Sequence, residues 1–304
     1  MSISISSADT PALAAATNSA HPLRRWAVGA GAPWREVTVD GIRLAYNDDG
    51  EGAALVCLHA IGHGAGDFAG LHQRLGSRYR IVALDWPGHG RSGDDRMAVS
   101  AGRYAELLTG FLDALGIDQS VLLGNSIGGA ATIRFAAAHP TRVRALVLAN
   151  PGGLDRGGAG LTTRVITGMM ARFFAAGTRG ARWYPRAFAA YYRMVLSGPA
   201  AADQRERISA AGVESAAILA QAWRSFGQPD ADIRALGARV TCPVLFAWAR
   251  GDRINQLGRA RAAIKQFPNA RLEAFSGGHA AFLEAPDEFA QSLERFLAGL
   301  DREH

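Results

Sequence analysis

Gly124-Asn125-Ser126-Ile127-Gly128 fits the pattern G-x-S-x-G, directly after the apolar run Val121-Leu122-Leu123 and directly before an alanine-rich stretch. A strand that turns sharply into a helix between two glycines can lift a serine side chain above the end of a sheet, where its hydroxyl is placed to act as a nucleophile. The same turn puts Ser126 at a helix N-terminus, whose free N–H groups and dipole favour negative charge developing nearby. The backbone N–H of Ile127 is therefore one expected donor to an oxyanion.

A second donor is expected from the loop that follows Ala54-Leu55-Val56-Cys57-Leu58, which reads His59-Ala60-Ile61-Gly62-His63-Gly64. A glycine-rich strand end can turn backbone N–H groups inward, and that of Ile61 is favoured, with Ala60 as its neighbour. His59 and His63 have no carboxylate or third ligand at metal-binding spacing, so His59 is expected to pack and His63 to line a pocket.

A serine hydroxyl needs an imidazole to take its proton. Of the eight histidines, His279 in Ser276-Gly277-Gly278-His279 lies after the last apolar run and before the final helix, where a loop would carry it over the sheet edge. The imidazole in turn needs a carboxylate to set its tautomer. Asp252 in Gly251-Asp252-Arg253 follows the apolar run 244–249, and the chain order Ser126, Asp252, His279 suits the assignment. Asp155 is the rival. Asp85, in Asp85-Trp86-Pro87-Gly88-His89-Gly90-Arg91-Ser92, is expected to bind loop backbone instead.

These residues need a sheet beneath them. Residues 37–46 alternate apolar and polar side chains around Asp40-Gly41, which predicts a hairpin with a turn at positive φ. Unbroken apolar runs at 53–58, 79–84, 120–123, 143–149, 244–249 and 271–275 predict strands covered on both faces. Helical stretches at 103–115, 127–139, 257–267 and 286–300 alternate with them. The expected fold class is α/β, a mostly parallel doubly wound sheet. One connection, 153–237, is far too long for a loop and reads as an inserted helical cap. The predicted organisation is a flexible leader at 1–30, a core of 31–152 and 238–304, and the cap between.

Within 153–237, Phe188, Tyr191, Tyr192 and Val195 recur at helical spacing, with Phe173, Phe174, Trp183, Trp223 and Phe226 adding bulk. Part of this surface is expected to line an apolar or aromatic pocket. Arg172, Arg179, Arg182, Arg186 and Arg193 are candidates to hold a substrate carboxylate.

The 304 residues are 48% hydrophobic and 20% charged, enough for a large core. The net charge of +6 comes from 33 basic and 27 acidic residues spread along the chain, Lys265 being the only lysine, and nucleic acid is not an expected partner. Cys57 and Cys242 belong to no paired-cysteine motif and are expected to be buried and reduced. No run approaches the roughly 18 apolar residues of a membrane span, and the leader lacks the pattern of a signal peptide. The expectation is a cytoplasmic protein whose partner is a small-molecule substrate, not a membrane, and whose chemistry needs no metal or organic cofactor.

In order along the chain, Leu58-His59 with its loop, the 85–92 segment, Gly124-Asn125-Ser126-Ile127-Gly128-Gly129, Gly251-Asp252 and Gly278-His279 resemble the α/β-hydrolase superfamily over residues 35 to 300. The resemblance implies a serine hydrolase with a Ser126-Asp252-His279 triad. The elbow looks like that of hydrolases cleaving carbon–carbon bonds in ring-fission products of aromatic degradation, where an asparagine also precedes the serine. Those enzymes commonly carry a tryptophan just after the catalytic histidine, whereas Ala280 stands here, and the common His-Gly pair of the oxyanion loop is His59-Ala60. Ser126 excludes relatives that use an aspartate nucleophile. Ester, thioester and activated carbon–carbon bonds remain open. A reading of another class, a ligand-binding protein that has lost turnover, would be favoured by a missing triad member.

Overall fold

Asp40 and Gly41 both take positive φ, 51° and 75°. This two-residue turn matches the twist of the strands it joins, so β1 (Trp34–Val39) and β2 (Ile42–Asp49) pair antiparallel with Val39 opposite Ile42. The computed structural model describes residues 33–300, and the leader predicted for 1–30 lies outside the described residues.

β2 pairs antiparallel with β4 (Tyr79–Leu84), and every later pairing is parallel. With β3 (Ala53–Leu58), β5 (Ser120–Asn125), β6 (Val143–Ala149), β7 (Val244–Ala249) and β8 (Ala270–Phe275), the sheet has eight strands in the order β1-β2-β4-β3-β5-β6-β7-β8. β5 and β7 are buried at every residue, as strands covered on both faces must be. This is the α/β, mostly parallel doubly wound sheet that the apolar runs predict.

The connecting helices are α1 (Ala69–Leu75), α2 (Ala101–Ala114) and α3 (Ile127–Ala138). Between β6 and β7 come α4 (Leu161–Thr178), α5 (Tyr184–Val195), α6 (Ala202–Ala210) and α7 (Ala216–Ser225). α8 (Leu257–Ile264), α9 (Ala281–Glu284) and α10 (Pro286–Leu300) complete the chain. α2 starts at Ala101, two residues before the predicted start, because the Ser100 hydroxyl caps it by accepting from the N–H of Arg103 at 3.0 Å. α1, which the pattern does not announce, is a short helix whose Leu71 and Leu75 reach the core. α8 ends three residues earlier than its periodicity suggests. Cys57 is buried, but Cys242 is only half-buried because it precedes β7 by two residues.

Trp86, the residue after Asp85, stacks on Tyr104 of α2 with ring centroids 4.3 Å apart, fixing the loop beyond β4 against the core.

Candidate active site

Ser126 joins β5 to α3 with φ 53° and ψ −114°, a backbone conformation that side-chain-bearing residues rarely adopt. The surroundings hold it there. A Cβ on Gly128 would lie 2.3 Å from the carbonyl oxygen of Leu58, and one on Gly124 would lie 2.6 Å from Gly128, so neither position admits a side chain without displacement of backbone. The start of α3 thus sits directly against the end of β3, and the loop that β3 feeds is brought to the serine.

Asp252 follows β7 and His279 follows β8, and their adjacent strands bring the two side chains together. The imidazole Nδ1–H donates to Asp252 Oδ2 at 2.8 Å, and both side chains are buried. Asp252 Oδ1 accepts from the N–H groups of Ile254 and Asn255 at 2.7 and 3.0 Å. Its Oδ2 also accepts from Asn150 Nδ2 at 2.6 Å. With both oxygens engaged, the carboxylate cannot rotate away from the imidazole, whose Nε2 has no hydrogen-bond partner among the described residues.

Three further side chains hold these groups in place, and of them only Asn125 lies within a sequence motif. Asn150, at the end of β6 with φ 46°, bonds Asp252 and accepts the N–H of Ala249 at 3.1 Å. Asn125, next to Ser126, donates through Nδ2 to the carbonyls of Ala149 and His279 at 2.8 and 3.0 Å, tying the serine turn to the histidine loop. Glu284, buried in α9, accepts from Gly278 N–H at 2.7 Å and Gly198 N–H at 2.6 Å, so the same carboxylate holds the residue before His279 and the turn after α5. For Asn150 the signal in the sequence is chemical: a polar residue directly follows the apolar run 145–149.

The N–H of Ile127 opens α3, where it has no intrahelical acceptor. Ile61 occupies the second position of a turn closed by the His63 N–H donating to the Ala60 carbonyl at 3.2 Å, and its own N–H has no hydrogen-bond partner among the described residues. The turn is braced from behind. Gly62 N–H donates to His89 Nε2 at 2.9 Å, while His89 Nδ1–H donates to the Pro87 carbonyl at 3.0 Å. Burial lowers the His89 imidazole to about 4, so it stays a neutral acceptor.

The remaining polar residues near the loop are occupied. His59 accepts the Trp86 N–H at 2.9 Å and donates to the Ala60 carbonyl, and burial, reinforced by His89, holds its pKa well below the ordinary value. Asp85 accepts from the N–H groups of Ala65 and Arg91, the backbone role expected of it, and burial raises it to about 6 against those two bonds. His63 pairs with Asp67 at 2.6 Å, whose other oxygen meets Gln204 of α6, and its ring lies 6.0 Å from that of Tyr192. Asp155, the rival acid, is bound instead to Arg259 and the Gly157 N–H.

The helices between β6 and β7 form a side of the site. A Cβ on Gly62 would lie 2.9 Å from the Tyr192 hydroxyl, so α5 rests on the Ile61 turn. Tyr191 is held in neutral form, first by burial and then by the nearby Asp252 charge. Arg172, Arg179, Arg182, Arg186 and Arg193 are all exposed. Among the described residues no arginine or lysine is buried, and no three His, Cys, Asp or Glu side chains gather to hold a metal ion.

Residues 55–292 match the model of the "Alpha/beta hydrolase family". The chain belongs to the alpha/beta hydrolase family, and it is an enzyme of the hydrolase class. Among its relatives is 2-hydroxymuconate semialdehyde hydrolase of Pseudomonas putida, 31% identical over 89% of this chain and 96% of that protein. Another is 2-hydroxy-6-oxo-6-phenylhexa-2,4-dienoate hydrolase of Burkholderia cepacia, 28% identical over 86% of this chain and 94% of that protein. In fold it is similar to a thermophilic esterase from Thermogutta terrifontis, with a TM-score of 0.74, 20% identity, and coverage of 88% and 99% of the two chains.

Proposed function

We propose that the protein is a serine hydrolase that cleaves an ester-type bond of a small substrate with an apolar or aromatic acyl group. The observation that carries this reading is the buried Asp252–His279 pair, 2.8 Å apart, tied through Asn125 to the strained turn at Ser126. Residues 153–237 act as a cap over a core of 31–152 and 238–304.

In this mechanism Ser126 Oγ attacks the substrate carbonyl carbon while His279 Nε2 takes its proton. Asp252 stabilises the imidazolium through Nδ1–H. The backbone N–H groups of Ile127 and Ile61 hold the carbonyl oxygen as it becomes an oxyanion. His279 returns the proton to the leaving alcohol, and the acyl group remains on Ser126. Water, deprotonated by the same imidazole, then releases the acid and restores the serine.

A second reading, hydrolysis of a carbon–carbon bond in a ring-fission product, is favoured by the Pseudomonas and Burkholderia relatives. A dienoate carries a carboxylate, however, and no cation is buried among the described residues to meet it. The exposed arginines leave the aromatic wall apolar, which favours the ester.

The test is hydrolysis of p-nitrophenyl esters from acetate to laurate by the wild type and by Ser126→Ala, with a vinylogous diketone acid alongside. Ester turnover lost in the variant supports the first reading, and cleavage of the diketone acid alone supports the second. Turnover that survives in Ser126→Ala overturns both, and no turnover of either class would leave the ligand-binding alternative in its place.

A further inference from the structure

Seven large apolar side chains are exposed among the described residues, and five of them cluster on one region of the surface: Leu161, Val165, Ile166, Met169 and Trp183. Leu161, Val165 and Met169 are spaced i, i+4, i+8, which places them in one row along α4. Leu161 is 77% and Met169 63% exposed, far more than a folded chain needs to leave in water. The row continues through Phe173, one turn beyond Met169, whose ring lies 5.9 Å from that of Trp183.

The charge of the segment that carries this row is of one sign. Between residues 160 and 200 the chain has six arginines, Arg164, Arg172, Arg179, Arg182, Arg186 and Arg193, and no aspartate, glutamate or lysine. All six are exposed, and none makes an ion pair among the described residues. The rest of the chain is nearly balanced, since the whole molecule carries only +6.

We propose that the exposed face of α4, together with Trp183, docks on an anionic phospholipid surface. An apolar row flanked by arginines with a tryptophan at its end matches the chemistry of a bilayer interface, where apolar side chains enter the acyl boundary and guanidinium groups meet phosphate. A second copy of the chain is a poor occupant. A two-fold contact would set arginine against arginine, with no carboxylate in the segment to offset the repulsion. The sequence expectation of no membrane partner rested on the lack of a spanning segment, and no described helix is long and apolar enough to cross a bilayer. Surface docking needs no such helix.

The position of this face also connects it to the site. Phe173 lies 6.2 Å, ring to ring, from Tyr191, and Tyr191 lies 5.5 Å from Tyr192, whose hydroxyl rests on the Ile61 turn. A row of aromatic rings therefore runs from the docking face to the Ile61 turn, a path suited to substrates that dissolve in lipid. Docking itself does not depend on Ser126.

The experiment is co-sedimentation of the full chain with vesicles of equal parts phosphatidylglycerol and phosphatidylcholine, and with phosphatidylcholine alone, at low and high salt. Val165→Glu/Met169→Glu and Arg179→Gln/Arg182→Gln are run beside the wild type, with circular dichroism confirming that each is folded. The proposal expects binding to the anionic vesicles, weakened by salt, and roughly tenfold or greater loss in each double variant. The Ser126→Ala variant should bind like the wild type, which separates this result from any outcome of the ester assay. Absence of binding to anionic vesicles, or binding that both double variants retain, overturns the proposal. So does a dimer in analytical ultracentrifugation that Val165→Glu/Met169→Glu converts to monomer, which would assign the face to a second copy.

Discussion

The backbone N–H of His279 donates to the carbonyl of Val195 at 2.7 Å, joining the histidine loop directly to the last residue of α5. Glu284 reinforces the joint by accepting from Gly278 on one side and Gly198 on the other. The helices inserted after β6 and the imidazole beside Asp252 therefore cannot move independently.

Glu284 is accordingly a positioning residue. Glu284→Gln must turn an amide NH2 toward one of the two backbone donors, leaving that N–H unpaired in a buried place. The expected cost is about 1–3 kcal/mol of stability, measured by urea unfolding. kcat for the preferred ester should fall about tenfold while KM changes little, with a shifted acid limb in the pH profile of kcat/KM. A variant of reduced stability but unaltered kcat and pH profile would limit Glu284 to a structural role.

Ser126 separates catalysis from strain. Ser126→Ala should lower kcat by a factor on the order of 10³ or more, while keeping a Cβ in the conformation at φ 53°. Ser126→Gly should be equally inactive but more stable than the alanine variant, by about 1–3 kcal/mol, because glycine adopts this backbone without steric cost. Thermal unfolding of the two variants side by side tests it, and equal melting temperatures would mean that the turn is not strained.

Asn150 supports both Asp252 Oδ2 and the Ala249 N–H. Asn150→Ala leaves the buried Ala249 N–H without its acceptor and removes one of the two bonds to Asp252 Oδ2, with an expected loss of about 1–3 kcal/mol. kcat should fall more than tenfold because Asp252 gains freedom to leave the imidazole. Asn150→Asp should fare no better, since it sets a second carboxylate against Asp252.

Two buried groups give opposing pH dependences. His89, lowered to about 4 by burial, contributes stability that is present above its ordinary value of 6.5 and is lost as pH falls from there through 4. Asp85, raised by burial to about 6, contributes stability that is present below its ordinary 3.8 and is lost as pH rises through 6. Between about pH 4 and 6 the two slopes cancel. His89→Gln keeps an acceptor for the Gly62 N–H but removes one side of the balance. Relative to wild type, its stability should therefore decline with rising pH across this window by about 1.4 kcal/mol per pH unit. Urea unfolding at several pH values measures the difference, and parallel curves would contradict the assignment.

The sequence by itself determined much of the scaffold, because its signals there are local. Asp40-Gly41 dictates a hairpin turn, unbroken apolar runs dictate strands buried on both faces, and two glycines around Ser126 dictate a tight strand-to-helix turn. It also places Asp252 and His279 directly after apolar runs at the same sheet edge, and adjacent strands bring the two side chains to 2.8 Å. Only the tertiary structure decided what steadies those groups. Asn150 and Asp252 are 102 residues apart, Glu284 and Gly198 are 86, and Asn125 and His279 are 154. No spacing or periodicity links such pairs, because strand order in the sheet, not distance along the chain, determines which loops meet. The same holds for the surface of α4: that Leu161, Val165 and Met169 stay exposed is decided only by which face of the helix packs on the core.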